Sequence, residues 1–146
     1  MSLEIEHKYL VCNLSFISMA SYSEVMLQGY LSRTPERIVR VRIAGEKGYI
    51  TVKGITKGDT RLEFEYEISI NDARQMLNLC QKPLLEKTRY YIDFKGFTWE
   101  VDVYSGHLAP LIIAEIELPT SDTSYSLPPF VGQEVTGDPK YYNSNL

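Results

Sequence analysis

Polar and apolar residues alternate along most of this chain with period two. Leu3, Ile5, His7 and Tyr9 interleave with Glu4, Glu6 and Lys8, and Leu27, Gly29 and Leu31 with Gln28, Tyr30 and Ser32. Val39, Val41 and Ile43 flank Arg40 and Arg42, and Ile50 and Val52 flank Thr51 and Lys53. The same beat sets Leu62, Phe64, Tyr66 and Ile68 against Glu63, Glu65 and Glu67, then Thr88, Tyr90 and Ile92 against Lys87, Arg89 and Tyr91. Trp99, Val101 and Val103 alternate with Glu100 and Asp102, and Ala114, Ile116 and Leu118 with Glu115 and Glu117. Successive side chains of an extended chain point to opposite faces, so each stretch predicts a two-faced strand. Eight are expected, near residues 3–11, 25–33, 37–44, 48–55, 61–70, 85–94, 98–104 and 111–118.

The breaks in the pattern predict how the strands connect. Gly45-Glu46-Lys47-Gly48 and Lys95-Gly96 are turn signals, and Gly54 to Thr60 is a glycine-punctuated loop, so antiparallel hairpins are expected at all three. Helix is scarce. Asn71 is a suitable N-cap for a helix over 72–81, where Ala73, Met76, Leu77 and Cys80 recur at helical spacing and Pro83 follows. Single helical turns are expected within 14–24 and 120–127. The segment from Gly137 to Leu146 carries Tyr141 and Tyr142, and is expected to dock on the body or cover a barrel mouth.

Composition narrows the class. The 146 residues suit one domain, 1–146, able to bury a substantial core. Hydrophobic residues at 44% and charged residues at 23% are ordinary for a soluble globular protein. No run of about 18 apolar residues predicts a membrane span, and the chain starts in charged sequence, so a cytoplasmic protein without membrane contact is expected. A net charge of −4 argues against a nucleic-acid partner. Cys12 and Cys80 make no disulfide framework and have no ligand-type neighbours, so both are expected as buried free thiols.

Charge on the strands changes the picture most. The polar faces carry nine acids (Glu4, Glu6, Glu63, Glu65, Glu67, Glu100, Asp102, Glu115 and Glu117) and six bases (Lys8, Arg40, Arg42, Lys53, Lys87 and Arg89). A sandwich with solvated polar faces would explain any single strand. It explains less well why like charges repeat along single strands, which is unfavourable unless opposite charge lies across from them. A closed barrel with the charged faces inside brings acids and bases together, and eight strands leave room for about one small ligand. The excess of three acids would attract cations, and two divalent ions would overturn it and prepare the lumen for a polyanion.

The chain at this point resembles a known family. Glu4-Ile5-Glu6-His7-Lys8 is a Glu-x-Glu-x-Lys motif. It is followed in order by Arg40-Val41-Arg42, Thr51-Val52-Lys53-Gly54, Glu63-Phe64-Glu65, Glu86-Lys87-Thr88-Arg89, Trp99-Glu100-Val101-Asp102 and Ala114-Glu115-Ile116-Glu117. This order is similar to that of the CYTH superfamily, the triphosphate tunnel metalloenzymes, in its short bacterial form. The resemblance implies a mainly β fold, an eight-stranded antiparallel closed barrel with a charged lumen and a few short outer helices. It also implies hydrolysis of a triphosphate with one or two Mg²⁺ or Mn²⁺ ions.

Residue types then suggest a division of labour. Arg forks and Lys charges suit phosphate oxygens, so Lys8, Arg40, Arg42, Lys53, Lys87 and Arg89 are expected on the phosphates, with Tyr30 beside them. Hard cations take carboxylate oxygen, so Glu4, Glu6, Glu115 and Glu117 are expected as main metal ligands, with Glu63, Glu65 and Asp102 as further or water-bridged ones. Glu4, Glu6, Lys8, Lys87, Glu115 and Glu117 form the expected catalytic set. Glu67 and Glu100 are expected to pair with bases, while His7, His107 and Lys140 are not cast as catalytic. Inorganic tripolyphosphate is the expected substrate. Nucleoside or thiamine triphosphate hydrolysis, adenylyl cyclase chemistry and a non-catalytic polyphosphate-binding module stay open. The apolar outer faces make a homodimer an expectation too.

Overall fold

The computed structural model describes residues 2–146. Its strands are β1 (Leu3–Val11), β2 (Tyr22–Ser32), β3 (Ile38–Ala44), β4 (Lys47–Lys53), β5 (Thr60–Ile68), β6 (Leu85–Phe94), β7 (Phe97–Tyr104), β8 (Ile112–Glu117) and β9 (Val131–Glu134). Helix α1 (Phe16–Met19) follows β1, and α2 (Ile70–Leu79) follows β5. The sheet order is β5-β4-β3-β2-β6-β7-β8-β1-β9, and a further β5–β1 pairing closes eight strands into a barrel. Every pairing is antiparallel. All eight expected strands are present. No helix among the described residues is long and apolar enough to cross a membrane.

Local chemistry explains the hairpins. Lys95 and Gly96 both have positive φ, 48° and 86°, which matches the right-handed strand twist and joins Phe94 to its partner Phe97. Gly48 is required for another reason: a Cβ there would lie 2.6 Å from the Ala73 Cβ, so its absence lets α2 lie directly on β4.

Three expectations are corrected. The helix begins earlier than expected because Ser69 is its N-cap, accepting a hydrogen bond from the Asp72 amide, and Asn71 lies inside the first turn. Residues 120–127 form no helix, and β9 was not foreseen, since four residues containing a glycine give no periodic signal. Cys80 is buried but Cys12 is exposed, at the end of β1 where the chain leaves the barrel.

The hydrophobic core lies around the barrel rather than inside it. On one side Phe16 of α1, Phe130 and Tyr125 cover Trp99, Val101, Ile92 and Ile116 on the outer faces of β6, β7 and β8. On the other, Ala73 and Leu77 of α2, with Cys80 just past its end, pack over Val41. With both covers in place, the polar faces of the same strands point inward.

Candidate active site

The lumen collects almost every charged residue expected there. Glu4, Glu6, Lys8, Tyr30, Arg40, Arg42, Lys53, Glu63, Glu65, Arg89, Glu115 and Glu117 line one cavity of about 130 Å³. Lys87 and Asp102 are fully buried in its wall, bonded to each other at 2.7 Å. Glu67 is exposed at the end of β5, and Glu100 accepts from Arg89 at 3.2 Å. His7, His107 and Lys140 stay off the cavity. His7 is on the outer face of β1, between Asp59 and Tyr125, while His107 and Lys140 are exposed.

Strand order sorts the charges into two arcs. β5, β1 and β8 are contiguous, and bring Glu63, Glu65, Glu4, Glu6, Glu115 and Glu117 to one wall. β3, β2 and β6 form the opposite arc and bring Arg40, Arg42, Tyr30, Lys87 and Arg89. β4 and β7 lie between the arcs and contribute Lys53 on one side, Glu100 and Asp102 on the other.

The acidic arc has too few bases. Lys8 lies 3.1 Å from Glu6 and also donates to Glu115, while Lys53 serves Glu4 at 3.1 Å and Glu63 at 3.3 Å. Glu4 and Glu115 are the favoured partners. Burial works against them, yet Lys53 and Arg61 hold Glu4, and Lys8 and Arg89 hold Glu115, well below the ordinary carboxylate range. The others are left short. Burial and the neighbouring Glu115 push Glu6 up to about 8, and burial with Glu4 pushes Glu63 to about 7. Glu117 is also raised, by burial and by Glu4 and Glu100.

The basic arc has donors to spare. Arg42 donates through Nε to Gln28 at 2.9 Å, and its terminal nitrogens have no acceptor among the described residues. Burial, with Arg40 and Arg89 nearby, lowers it to about 10. Arg40 donates to Thr51 at 3.2 Å and lies 3.6 Å from Glu65, but its buried Nε has no partner among the described residues. Such an orphan is costly in a dry site unless a ligand meets it. Asp102 is the one strongly engaged acid here: Arg89 donates to it at 2.7 and 2.9 Å as well as Lys87. Burial pulls Lys87 down to about 7, with Asp102 opposing and Arg89 and Arg42 reinforcing.

The donors fit a hard divalent cation. They are all carboxylate oxygens, and the raised proton affinities of Glu6, Glu63 and Glu117 mark negative charge that the lysines leave unneutralised. No three acidic, His or Cys side chains among the described residues converge as a finished cage. Mg²⁺ does not need one, because it is commonly held by one or two carboxylates together with substrate phosphates and water.

Some lumen residues were not anticipated. Arg61 shares the inward phase of Glu63 and Glu65, so alternation could have found it; it donates to Glu4 at 3.1 Å. Gln28 shares the phase of Tyr30 and donates to its hydroxyl at 3.3 Å. Asn143 and Ser144 also line the cavity, and no periodic signal marks them.

Comparison with known proteins finds relatives along nearly the whole chain. A family model described as the CYTH domain matches residues 2–142. A protein of Acetivibrio thermocellus named inorganic triphosphatase is 48% identical over 100% of this chain and 94% of its own length. One of Nitrosomonas europaea with the same name is 33% identical over 98% of this chain and 95% of its own. Among solved structures, the crystal structure of the inorganic triphosphatase NE1496 superposes with a TM-score of 0.69 at 31% identity, covering 97% of this chain and 92% of that one.

Proposed function

The chain belongs to the CYTH domain family, and from that membership we propose that it hydrolyses the terminal phosphoanhydride of inorganic tripolyphosphate with a divalent cation. The observation that carries this reading is the opposition of unmet Arg donors on β3 to under-neutralised carboxylates on β1, β5 and β8. A phosphate chain between the arcs would satisfy the first, and a divalent cation held by the carboxylates would satisfy the second.

Arg40, Arg42 and Arg89, with Lys8, Lys53 and Lys87, grip the phosphate oxygens, and Tyr30 hydrogen-bonds beside them. Glu4, Glu6, Glu115 and Glu117 would hold the metal, with Glu63, Glu65 and Asp102 as further ligands. Asp102, whose oxygens are both engaged by Lys87 and Arg89, also holds those two bases in place. When bound, Mg²⁺ or Mn²⁺ supplies charge neutralisation and a water of lowered pKa. The water oxygen bonds to the terminal phosphorus as the bridging P–O bond breaks, giving orthophosphate and pyrophosphate. Positioning and preorganised charge lower the barrier, since the leaving pyrophosphate gains charge where the buried bases already stand.

Purified protein should release orthophosphate from tripolyphosphate with Mg²⁺ or Mn²⁺ and stop on chelation; release without any divalent ion would overturn the carboxylate assignment. Oligomerisation has its own candidate surface. Val52, Leu62, Phe64 and Tyr66 form an exposed apolar stripe on the outside of β4 and β5, where two copies would pair, and light scattering reads this directly.

A further inference from the structure

We propose that the segment Tyr142–Leu146 is a specificity partition, which restricts the tunnel to triphosphates with no organic substituent. The proposal rests on the triphosphatase reading and says which triphosphates that site admits.

The segment closes one end of the barrel. Leu146 packs with Leu108 against Tyr30, Ile38 and Leu85 at the mouth formed by β2, β3 and β6. Arg33 donates to the carbonyl oxygens of Ser144 at 2.8 Å and Leu146 at 3.3 Å, while its guanidinium lies 4.8 Å from the Tyr30 ring. Tyr104, from the end of β7, donates to the Asn143 side chain, and Asn145 donates to the Pro139 carbonyl at 2.8 Å. Contacts from β2, β3, β6 and β7 or their flanking loops thus hold these five residues across the mouth.

What lies on each side of the segment gives it a function. On its inner side is the charged cavity of about 130 Å³, where Ile38 is the one aliphatic side chain on the wall among the described residues. On its outer side is a second cavity of about 370 Å³, walled by Pro35, Ile38, Ile55, Pro139 and Tyr142. Buried Ser144 lines both, together with Ile38 and Arg61. A phosphate chain finds charge on every side of the inner cavity, but a base, ring or alkyl group attached to it finds almost no apolar contact there. The recess that offers such contact, in the size range of ligand pockets, is the outer one. Ser144 stands between them.

The test compares tripolyphosphate with ATP, each with Mg²⁺, in the full chain, in a variant ending at Tyr142, which keeps Pro139 and Tyr142 of the outer recess, and in Arg33→Met. Arg33→Met keeps the stem on Tyr30 and removes both hydrogen bonds to the segment. The quantity read is the ratio of kcat/KM for ATP to that for tripolyphosphate, with dissociation constants for both by calorimetry. We expect the ratio to rise at least tenfold on truncation and by a smaller factor in Arg33→Met. A ratio that does not rise in either variant overturns the partition. If the full chain hydrolyses neither compound, the triphosphatase reading fails instead, and the same ratio taken from the dissociation constants still decides the partition. If the truncated chain does not fold, Arg33→Met decides it alone.

Discussion

The two arcs of the tunnel wall are built from the same kind of strand and do opposite things. β5, β1 and β8 present carboxylates for which Lys8, Lys53 and Arg61 are too few, so Glu6 and Glu63 hold protons that a cation could replace. β3, β2 and β6 present guanidinium and ammonium groups that Asp102 and Glu100, with longer contacts from Arg89 to Glu115 and from Arg40 to Glu65, answer only in part, so Arg40 and Arg42 keep unmet donors. Each arc alone would be poorly stable, since buried unpaired charge is costly. Facing each other at one cavity's width, they are complementary to a metal–polyphosphate pair, which has the reverse arrangement of charge.

The sharpest way to break this contrast is to empty the basic arc. Arg42→Ala should lower tripolyphosphate turnover by about 10²–10³-fold, the usual cost of removing a preorganised donor to developing charge. Its melting temperature should barely move, because Arg42 leaves no carboxylate unpaired, only Gln28. Phosphate release and a thermal melt on the same sample check both halves.

Removing charge from the acidic arc should affect the metal rather than the phosphate. Glu6→Gln should raise the Mg²⁺ concentration for half-maximal activity by roughly 10–100-fold, with KM for the metal–substrate complex moving far less. A magnesium titration at saturating tripolyphosphate measures it, and an unchanged midpoint would remove Glu6 from the ligand set.

A pH series on the metal-free protein sharpens the same point. An acid that binds its proton more tightly folded than unfolded stabilises the fold less as pH climbs between its two values. For Glu6 that window runs from the ordinary 4.5 to about 8, and for Glu63 to about 7. Melting temperature should therefore fall with pH across this range. Glu6→Gln should flatten the fall, and added Mg²⁺ should reverse part of it.

The smallest effect is expected off both arcs. His107→Ala, on an exposed turn before β8, should leave turnover and melting unchanged, with stability within about 0.5 kcal/mol.

Much of the site could be read from the sequence because inward phase is a local property. Once Arg40 or Glu63 is placed on a two-residue period, Arg42 and Glu65 follow, and Arg61 would have followed from the same count. Asn143 and Ser144 could not be read this way. They belong to a segment with no period, whose position depends on Arg33 and Tyr104, more than a hundred and about forty residues away along the chain. β9 escaped for a similar reason, being defined by its partners Tyr9 and Val11 rather than by any pattern of its own.

The sequence by itself determined that these strands have one charged and one apolar face, and which charges each carries, because side-chain direction along an extended chain depends only on residue number. Only the tertiary structure decided that the charged face is the inner one. That depends on α1, α2 and the segment around Phe130 covering the outer faces, and on Leu3 to Ile5 pairing with Thr60 to Leu62 to close the ring. Only that closure sets acids on β1, β5 and β8 across from bases on β3 and β6, since which strands face each other is fixed by pairings between distant parts of the chain.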